Sequence, residues 1–546
     1  MVQATTAQAE SAGPSIRDRM SFFYLNIGHF LDHLFTLIYA TVVSLALIAE
    51  WKLTYAELIP FATFGFVAFG LYSLPAGRLA DTWSRHGMMV VFFIGIGLAS
   101  IATSFAQTPL QIAVLLFLVG VLAAIYHPVG LAMVVESVKT HGVGATGKSN
   151  TIIWLYLGLG LATLSAAYFA GSANVWVQRG MAAAGLVLIL KGLTMPAAGT
   201  GMALGINGVW GNLGVGSAAL ITGFLIDHGG WMVKSGSWRA AFVLPGFVSI
   251  AIGLAYFWLV RDEIGKAMRK APPAGQPTFI ETVLIGYIVP VSISLIAILA
   301  WGYSVITIAV CLIAGLSAPV IWMLRQRSQP GNAAGKAAMS AEMKATLIRL
   351  TAIIFFTAAV SSLVFQSTTF ALPQVFKERL GGIANSATLV GTFAFVVFAV
   401  ASLAQLVVGA MLDTYGPRRV FMGAAAVQVV FFALMPGLHD WPALAVALGF
   451  MLGAFGQIPI NDYMIGRMAT SDMRAQVYAG RYVVSFLVLG ATLPFIKWIH
   501  GTYGFDVLFR VLAAAAGVIF MAVTLLPRQI PAGGVAAPPR AEPAKA

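Results

Sequence analysis

His29, Asp32 and His33 stand close together inside a long apolar run. Spacings of three and four put them on one face of a helix. Ionisable groups inside such a run are costly, rarely face lipid, and often mark ion or proton paths. A carboxylate beside two imidazoles can exchange protons near neutral pH. The same residue types can share a metal ion. A structural role at the membrane interface is the third reading, because His29 is only about nine residues into the run. Proton or substrate coupling through His29, Asp32 and His33 is the reading taken forward, with no metal and no cofactor.

A second set of polar residues interrupts other apolar runs. His127 is followed by Pro128, which removes a backbone donor and can kink a helix, turning carbonyls toward a cavity. Asn207 and Asn212 lie in a glycine-rich run whose Gly205, Gly208, Gly211, Gly214 and Gly216 let helix backbones approach closely. Gln366 and Gln405 are hydrogen-bonding groups in two later runs, and Gln457 and Asn461 flank Pro459 in another. His127, Asn207, Asn212, Gln366, Gln457 and Asn461 are the substrate-binding candidates. Asp462 and Arg481 can form a buried pair, since each is expensive alone. The neighbouring Arg467, Asp472 and Arg474 favour a gate at the helix ends instead. Glu136 also stands near the end of its run, where it can serve a gate.

The elements that position these residues are membrane-spanning helices. Of the 546 residues, 59% are hydrophobic and 9% charged, against about 25% charged in soluble domains; the mean hydropathy is +0.88. Apolar stretches of about 20 residues recur from Met20 to Leu526. The net charge of +13 is a matter of topology and not of nucleic acid, because Lys and Arg collect in the connections that would face the cytoplasm. Cys311 is the single cysteine and forms no internal disulfide.

Residues 1–19 read as a disordered tail with no cleavable signal peptide, and Arg17 and Arg19 put the N-terminus in the cytoplasm. An N-terminal unit covers 20–260, with spans at about 20–48, 55–77, 87–105, 109–136, 202–226 and 238–260. It contains an extra hairpin at 150–201, whose second limb, Gly180–Pro196, is short and carries Lys191. That lysine must snorkel or sit in a polar interior. A basic linker, 261–349, holds a second apolar hairpin at 279–324. A C-terminal unit covers 350–527, with spans at about 350–375, 386–411, 418–437, 442–466, 478–499 and 505–526. A Pro- and Ala-rich tail, 528–546, follows. The fold class is an all-α polytopic membrane protein of fourteen to sixteen spans, both termini cytoplasmic, in an inner membrane.

One charged segment is repeated. Gly77-Arg78-Leu79-Ala80-Asp81-Thr82-Trp83-Ser84-Arg85-His86 lies between the second and third spans. A looser copy, Gly409–Arg419, holds the corresponding place in the second unit, with Asp413, Arg418 and Arg419. Asp81 can accept from a helix N-terminus, and Arg78 and Arg85 can pair with acidic groups. A tight turn with topology-anchoring arginines is the alternative.

Six spans, a basic linker and six spans, with this Gly…Asp…Arg segment after the second span of each half, resemble the major facilitator superfamily. Within it, His29, Tyr126-His127-Pro128 and Gly208-x-x-Gly211-Asn212-x-Gly214 resemble the fosmidomycin-resistance-type exporters, with Val129 where those relatives carry an acidic residue. The resemblance implies two six-helix domains of inverted three-helix repeats, a site near the bilayer midplane between them, and transport by rocking of one domain against the other. It also implies that Gly77, Arg78, Asp81, Arg85, Asp413, Arg418 and Arg419 latch one face of the bundle. The superfamily pattern has no hairpin between its fourth and fifth helices, so 150–201 is extra.

Gly142-Val143-Gly144-Ala145-Thr146-Gly147-Lys148-Ser149 satisfies the P-loop pattern but follows an apolar helix in a chain with no α/β domain, so nucleotide hydrolysis is set aside. No nucleophile–base pair in a soluble catalytic setting is visible, and the chain reads as a non-enzyme. The expected function is secondary active transport of a small solute by alternating access, proton-coupled and outward, by a monomer whose partners are solute, protons and lipid, with no nucleic acid. The alternative is a transporter-like receptor or assembly protein that recruits partners through the extra helices.

Overall fold

The structure is a computed structural model that describes residues 16–140, 152–160, 163, 175–194, 200–231, 237–268, 278–327, 341–468 and 474–526. The two terminal tails, the P-loop-like Gly142–Ser149 and much of the 150–201 segment fall outside the described residues.

All the long elements are helices. α1 covers Met20–Trp51, α2 Tyr55–Thr82, α3 Arg85–Thr103 and α4 Pro109–Ser137. α5, Val175–Thr194, belongs to the first extra segment. α6 (Ala203–His228) and α7 (Ala240–Met268) complete the first half. α8 (Phe279–Trp301) and α9 (Val305–Trp322) form the linker hairpin. α10 (Ile348–Arg379), α11 (Ala387–Gly409), α12 (Pro417–Leu434) and α13 (Asp440–Asn461) begin the second half. The last apolar stretch, Leu487–Thr524, has 38 residues, roughly 57 Å of helix, about twice a bilayer's hydrocarbon core. Gly504, at φ 77°, divides it into α14 (487–503) and α15 (505–524). The described residues therefore hold fourteen helices able to cross a membrane, thirteen continuous apolar stretches with the last one broken in two.

Local chemistry sets the ends. Thr54 and Glu57 form a reciprocal capping box ahead of α2. Ser84, Thr108 and Ser386 accept the backbone N–H at the third residue of α3, α4 and α11. The 150–201 segment supplies a helical turn at 152–160 packed on α5. α5 has 20 residues, and among the described side chains its apolar stretch is Met181–Thr194. Lys191 stacks on the Tyr156 ring, 4.8 Å from its centroid, at an exposed position.

The charged segment is less of a loop than its sequence suggests. α2 runs through Gly77, Arg78 and Asp81 to Thr82, and only Trp83 and Ser84 turn the chain. Its copy is helical through Tyr415 and turns at Gly416, where φ is 78°. The periodic apolar pattern of each span simply continues through the charges at its end.

The core of each half is filled by aromatic and aliphatic side chains, with Phe64, Phe92, Phe117, Tyr126 and Phe376 fully buried. Large apolar side chains cover the outside, among them Phe247, Trp258, Ile296 and Ile313, as an outer surface bathed in lipid requires. The halves meet where α6 packs along α11 and α2 along α14.

Candidate functional site

α1, the second part of α4 and α6 meet around a buried polar cluster in the first half. Pro128 explains how α4 contributes to it. Without an N–H, Pro128 cannot bond to the carbonyl of Ala124, and the helix breaks at Ala124–Ile125 before resuming at Tyr126. The break brings Tyr126 and His127 onto the α1 face.

His29 is the hub. Its Nδ1 donates to the Asn207 carbonyl oxygen at 2.7 Å. A carbonyl only accepts, so Nδ1 carries a proton, and the neutral ring offers Nε2 as the acceptor for His33 Nε2–H, 3.2 Å away. The His29 ring stacks on Tyr126, with centroids 4.9 Å apart and planes inclined by 19°. Tyr126 is held in turn by donating to the Leu25 carbonyl at 2.8 Å. Asn207 donates to Asn26 Oδ1 and to the Tyr126 hydroxyl, both at 2.9 Å.

Gly211 makes room for this arrangement. A Cβ at that position would sit 2.7 Å from His29 Nε2. Gly214, one turn on, lies against the Phe30 carbonyl, where a side chain would collide with backbone. The glycines of α6 thus set the α1–α6 spacing that lets the Asn207 carbonyl reach the imidazole.

Asp32 is fully buried. His127 Nε2 lies 3.3 Å from Asp32 Oδ2. The His127 ring also meets His29, His33 and Phe69 at centroid distances of 5.4, 5.6 and 5.4 Å. The side-chain nitrogens of His29, His33 and His127 all lie within 4.8 Å of one another. Asp32 and the three imidazoles form one cluster, so His127, expected at a substrate site, lies beside the residues expected to couple protons.

The other residues singled out from sequence lie apart. Asn212 is buried on α6 beside the cluster's helix, with its side-chain nitrogen lacking a hydrogen bond. In the second half, Gln457 donates to Gln428 Oε1 at 2.9 Å, and Asn461 donates to the Gln457 carbonyl at 3.2 Å. Gln366 is half-buried on α10. Gln405 of α11 is buried with its Oε1 against Gly208 of α6, linking the halves.

At the end of the bundle where α2 meets α3, Arg85 pairs with Asp81 at 3.0 Å and with Glu136 of α4. Asp81 therefore accepts from the arginine one turn on, in place of a helix N-terminus. Arg78 stacks on Trp322 of α9, 4.7 Å from the ring centroid, with Glu281 of α8 as its acidic neighbour. Gly77 packs on Pro128. Arg418 is half-buried and Arg419 exposed at the start of α12. The side chains of Asp413, Asp462 and Arg481 fall outside the described residues.

At the opposite end the halves are joined directly. Thr388 of α11 donates its backbone N–H to Asp227 Oδ2 of α6 at 2.7 Å, and its hydroxyl bonds to the same oxygen. Lys377 of α10 donates to the Ser44 carbonyl of α1, within the π-helical turn Val43–Leu47. Tyr55 of α2 donates to the Phe370 carbonyl of α10 at 3.3 Å.

Sequence reasoning passed over Asn26 and the hydroxyl of Tyr126. Asn26 is one turn before His29, a polar residue on the same apolar face, which was the available signal.

A crystal structure of a POT family transporter in complex with 5-aminolevulinic acid superposes on 93% of this chain and 96% of its own, with a TM-score of 0.61 at 14% identity. The fold is of the major facilitator type. A peptide transporter POT in complex with sulfate covers 95% of this chain and 97% of its own, with a TM-score of 0.60 at 16% identity. The nucleoside transporter NupG covers 92% and 99%, with a TM-score of 0.53 at 11% identity. Residues 354–545 match the family model of the Major Facilitator Superfamily. A gallate transporter from Pseudomonas putida is 29% identical over 98 residues, which is 18% of this chain and 22% of that protein. The aligned part thus spans about a fifth of that relative.

Proposed function

We propose that this chain is a secondary active transporter that moves a small solute by alternating access between its two halves, coupled to protons and acting as an inner-membrane exporter. The observation that carries the reading is Asp32, a carboxylate buried in a membrane helix against His127, one turn from His29 and next to His33. Such a group is expensive to keep in an apolar bundle, and proton relays in transporters use it. The halves meet along two helix pairs, α6 with α11 and α2 with α14, and rocking of one half against the other would work at these seams.

Outward direction is inferred from the resemblance of His29, Tyr126-His127-Pro128 and Gly208–Gly214 to fosmidomycin-resistance-type exporters. The named relatives include a gallate, a nucleoside and peptide transporters, which supports a small organic solute as cargo. Asn207, Asn212, Gln366, Gln457 and Asn461 are the proposed solute contacts, and Gly77, Arg78, Asp81, Arg85 and Glu136 the proposed gate with Asp413, Arg418, Arg419, Asp462 and Arg481.

The test uses purified protein in proteoliposomes, with a solute chosen by thermal shift. A pH gradient is expected to drive that solute against its own gradient. If His29→Ala and Asp32→Asn both left proton-driven transport intact, the coupling assignment would fail.

A further inference from the structure

We propose that His29, His33 and His127 form a binding site for a divalent first-row transition-metal ion, with Asp32 as the carboxylate that balances its charge. This goes beyond the transport reading and stands without it.

Three features carry the assignment. The first is donor geometry. Metal–nitrogen bonds of about 2.0–2.1 Å place neighbouring ligands of a tetrahedral site roughly 3.3 Å apart. His29 Nε2 and His33 Nε2 are 3.2 Å apart, and the His127 nitrogen joins them within 4.8 Å. The half-buried His127 ring has to move to close the remainder. Two of the ligands, His29 and His33, sit four residues apart on one helix, and the third comes from a helix already broken at Ala124–Ile125.

The second feature is the outer shell. A histidine that binds a metal donates its other ring N–H to a carbonyl or carboxylate, which fixes its tautomer. His29 does this through Nδ1 to the Asn207 carbonyl at 2.7 Å, with Nε2 turned to the other imidazoles. His127 faces Asp32 at 3.3 Å. On binding, His33 holds its proton on Nδ1, and the His29–His33 hydrogen bond is replaced by two bonds to the ion. No proton is lost by either neutral ring.

The third feature is charge. Asp32 is fully buried, and His127 Nε2, 3.3 Å from Oδ2, is the polar side chain that faces its carboxylate. A carboxylate so placed is costly without a cation. A divalent ion at the three imidazoles supplies one. Imidazole with a single carboxylate suits zinc, nickel, cobalt or copper and not magnesium or calcium, which prefer oxygen.

The experiment is direct binding of Zn²⁺ to tag-free, chelator-stripped full-length protein in detergent, by calorimetry and by metal content after gel filtration. One ion per chain is expected. His29→Ala, His33→Ala and His127→Ala are each expected to weaken binding by more than about 100-fold. Gly211→Ala keeps all three imidazoles but puts a Cβ 2.7 Å from His29 Nε2, and is expected to weaken binding by about 10- to 100-fold. Co²⁺ on the unaltered protein, which needs no variant to fold, is expected to give the intense visible bands of a four-coordinate ion. No retained Zn²⁺, binding unchanged in the histidine variants, or only the weak bands of six-coordinate Co²⁺ would each overturn the proposal. Because none of these readouts involves transport, failure here leaves the transporter reading standing, and loss of proton-driven transport leaves the metal site standing.

Discussion

The Nδ1 of His29 on α1 donates to the backbone carbonyl of Asn207 on α6 at 2.7 Å. This one bond joins two helices and fixes which nitrogen faces His33 and His127. It also ties the polar cluster to α6, the helix that packs along α11 of the other half.

Asp32→Asn keeps the shape of the buried side chain and removes its charge. Proton-driven accumulation is expected to fall by at least about 100-fold, because the proposed relay runs through this carboxylate. Solute exchange with no pH gradient is expected to continue. The two assays on one proteoliposome preparation separate these outcomes.

The Arg85 pairs with Asp81 and Glu136 are formed by side chains that are 38%, 65% and 51% exposed. Exposed pairs contribute about 0–1 kcal/mol. Glu136→Gln is thus expected to leave thermal stability nearly unchanged in detergent while altering transport rate severalfold. A large loss of melting temperature with normal transport would show a structural bond and not a gate.

At the other end, Lys377→Met removes the donor to the Ser44 carbonyl, and Thr388→Val removes the hydroxyl bonded to Asp227. Together they are expected to favour opening of that end. Spin labels on Lys52→Cys and Gly381→Cys, both exposed, report it with Cys311→Ser as background. The distance distribution is expected to shift to longer values in the double variant. An unchanged distribution would remove these bonds from the gate.

Trp322 is buried under Arg78. Trp322→Ala is expected to lower the melting temperature more than Trp322→Phe, which keeps a ring for the guanidinium. Equal effects would mean that Trp322 acts by volume alone.

Much of this was legible in the sequence. The fourteen crossing helices among the described residues follow from runs of apolar residues, since each span must satisfy its own backbone in lipid. His29, Asp32 and His33 declared themselves by spacing on one face. Pro128 announced the break that delivers His127, though not its destination beside Asp32. Other relations are tertiary and leave no local trace. The Arg78–Trp322 stack joins residues far apart in sequence through the linker hairpin. The partner of Lys377 is a carbonyl in a π-helical turn, and no residue type marks that. The Gln457–Gln428 bond uses two amides from separate helices, either of which could equally have faced a solute.

The central claim is that the buried cluster couples solute to protons. Its most direct measurement is proton movement in proteoliposomes loaded with a pH-sensitive dye, started by a gradient of the identified solute with no imposed pH difference. The account predicts proton flux in the unaltered protein and none above background in Asp32→Asn, with solute exchange preserved. Solute movement without proton flux in the unaltered protein, or equal flux in Asp32→Asn, would contradict it.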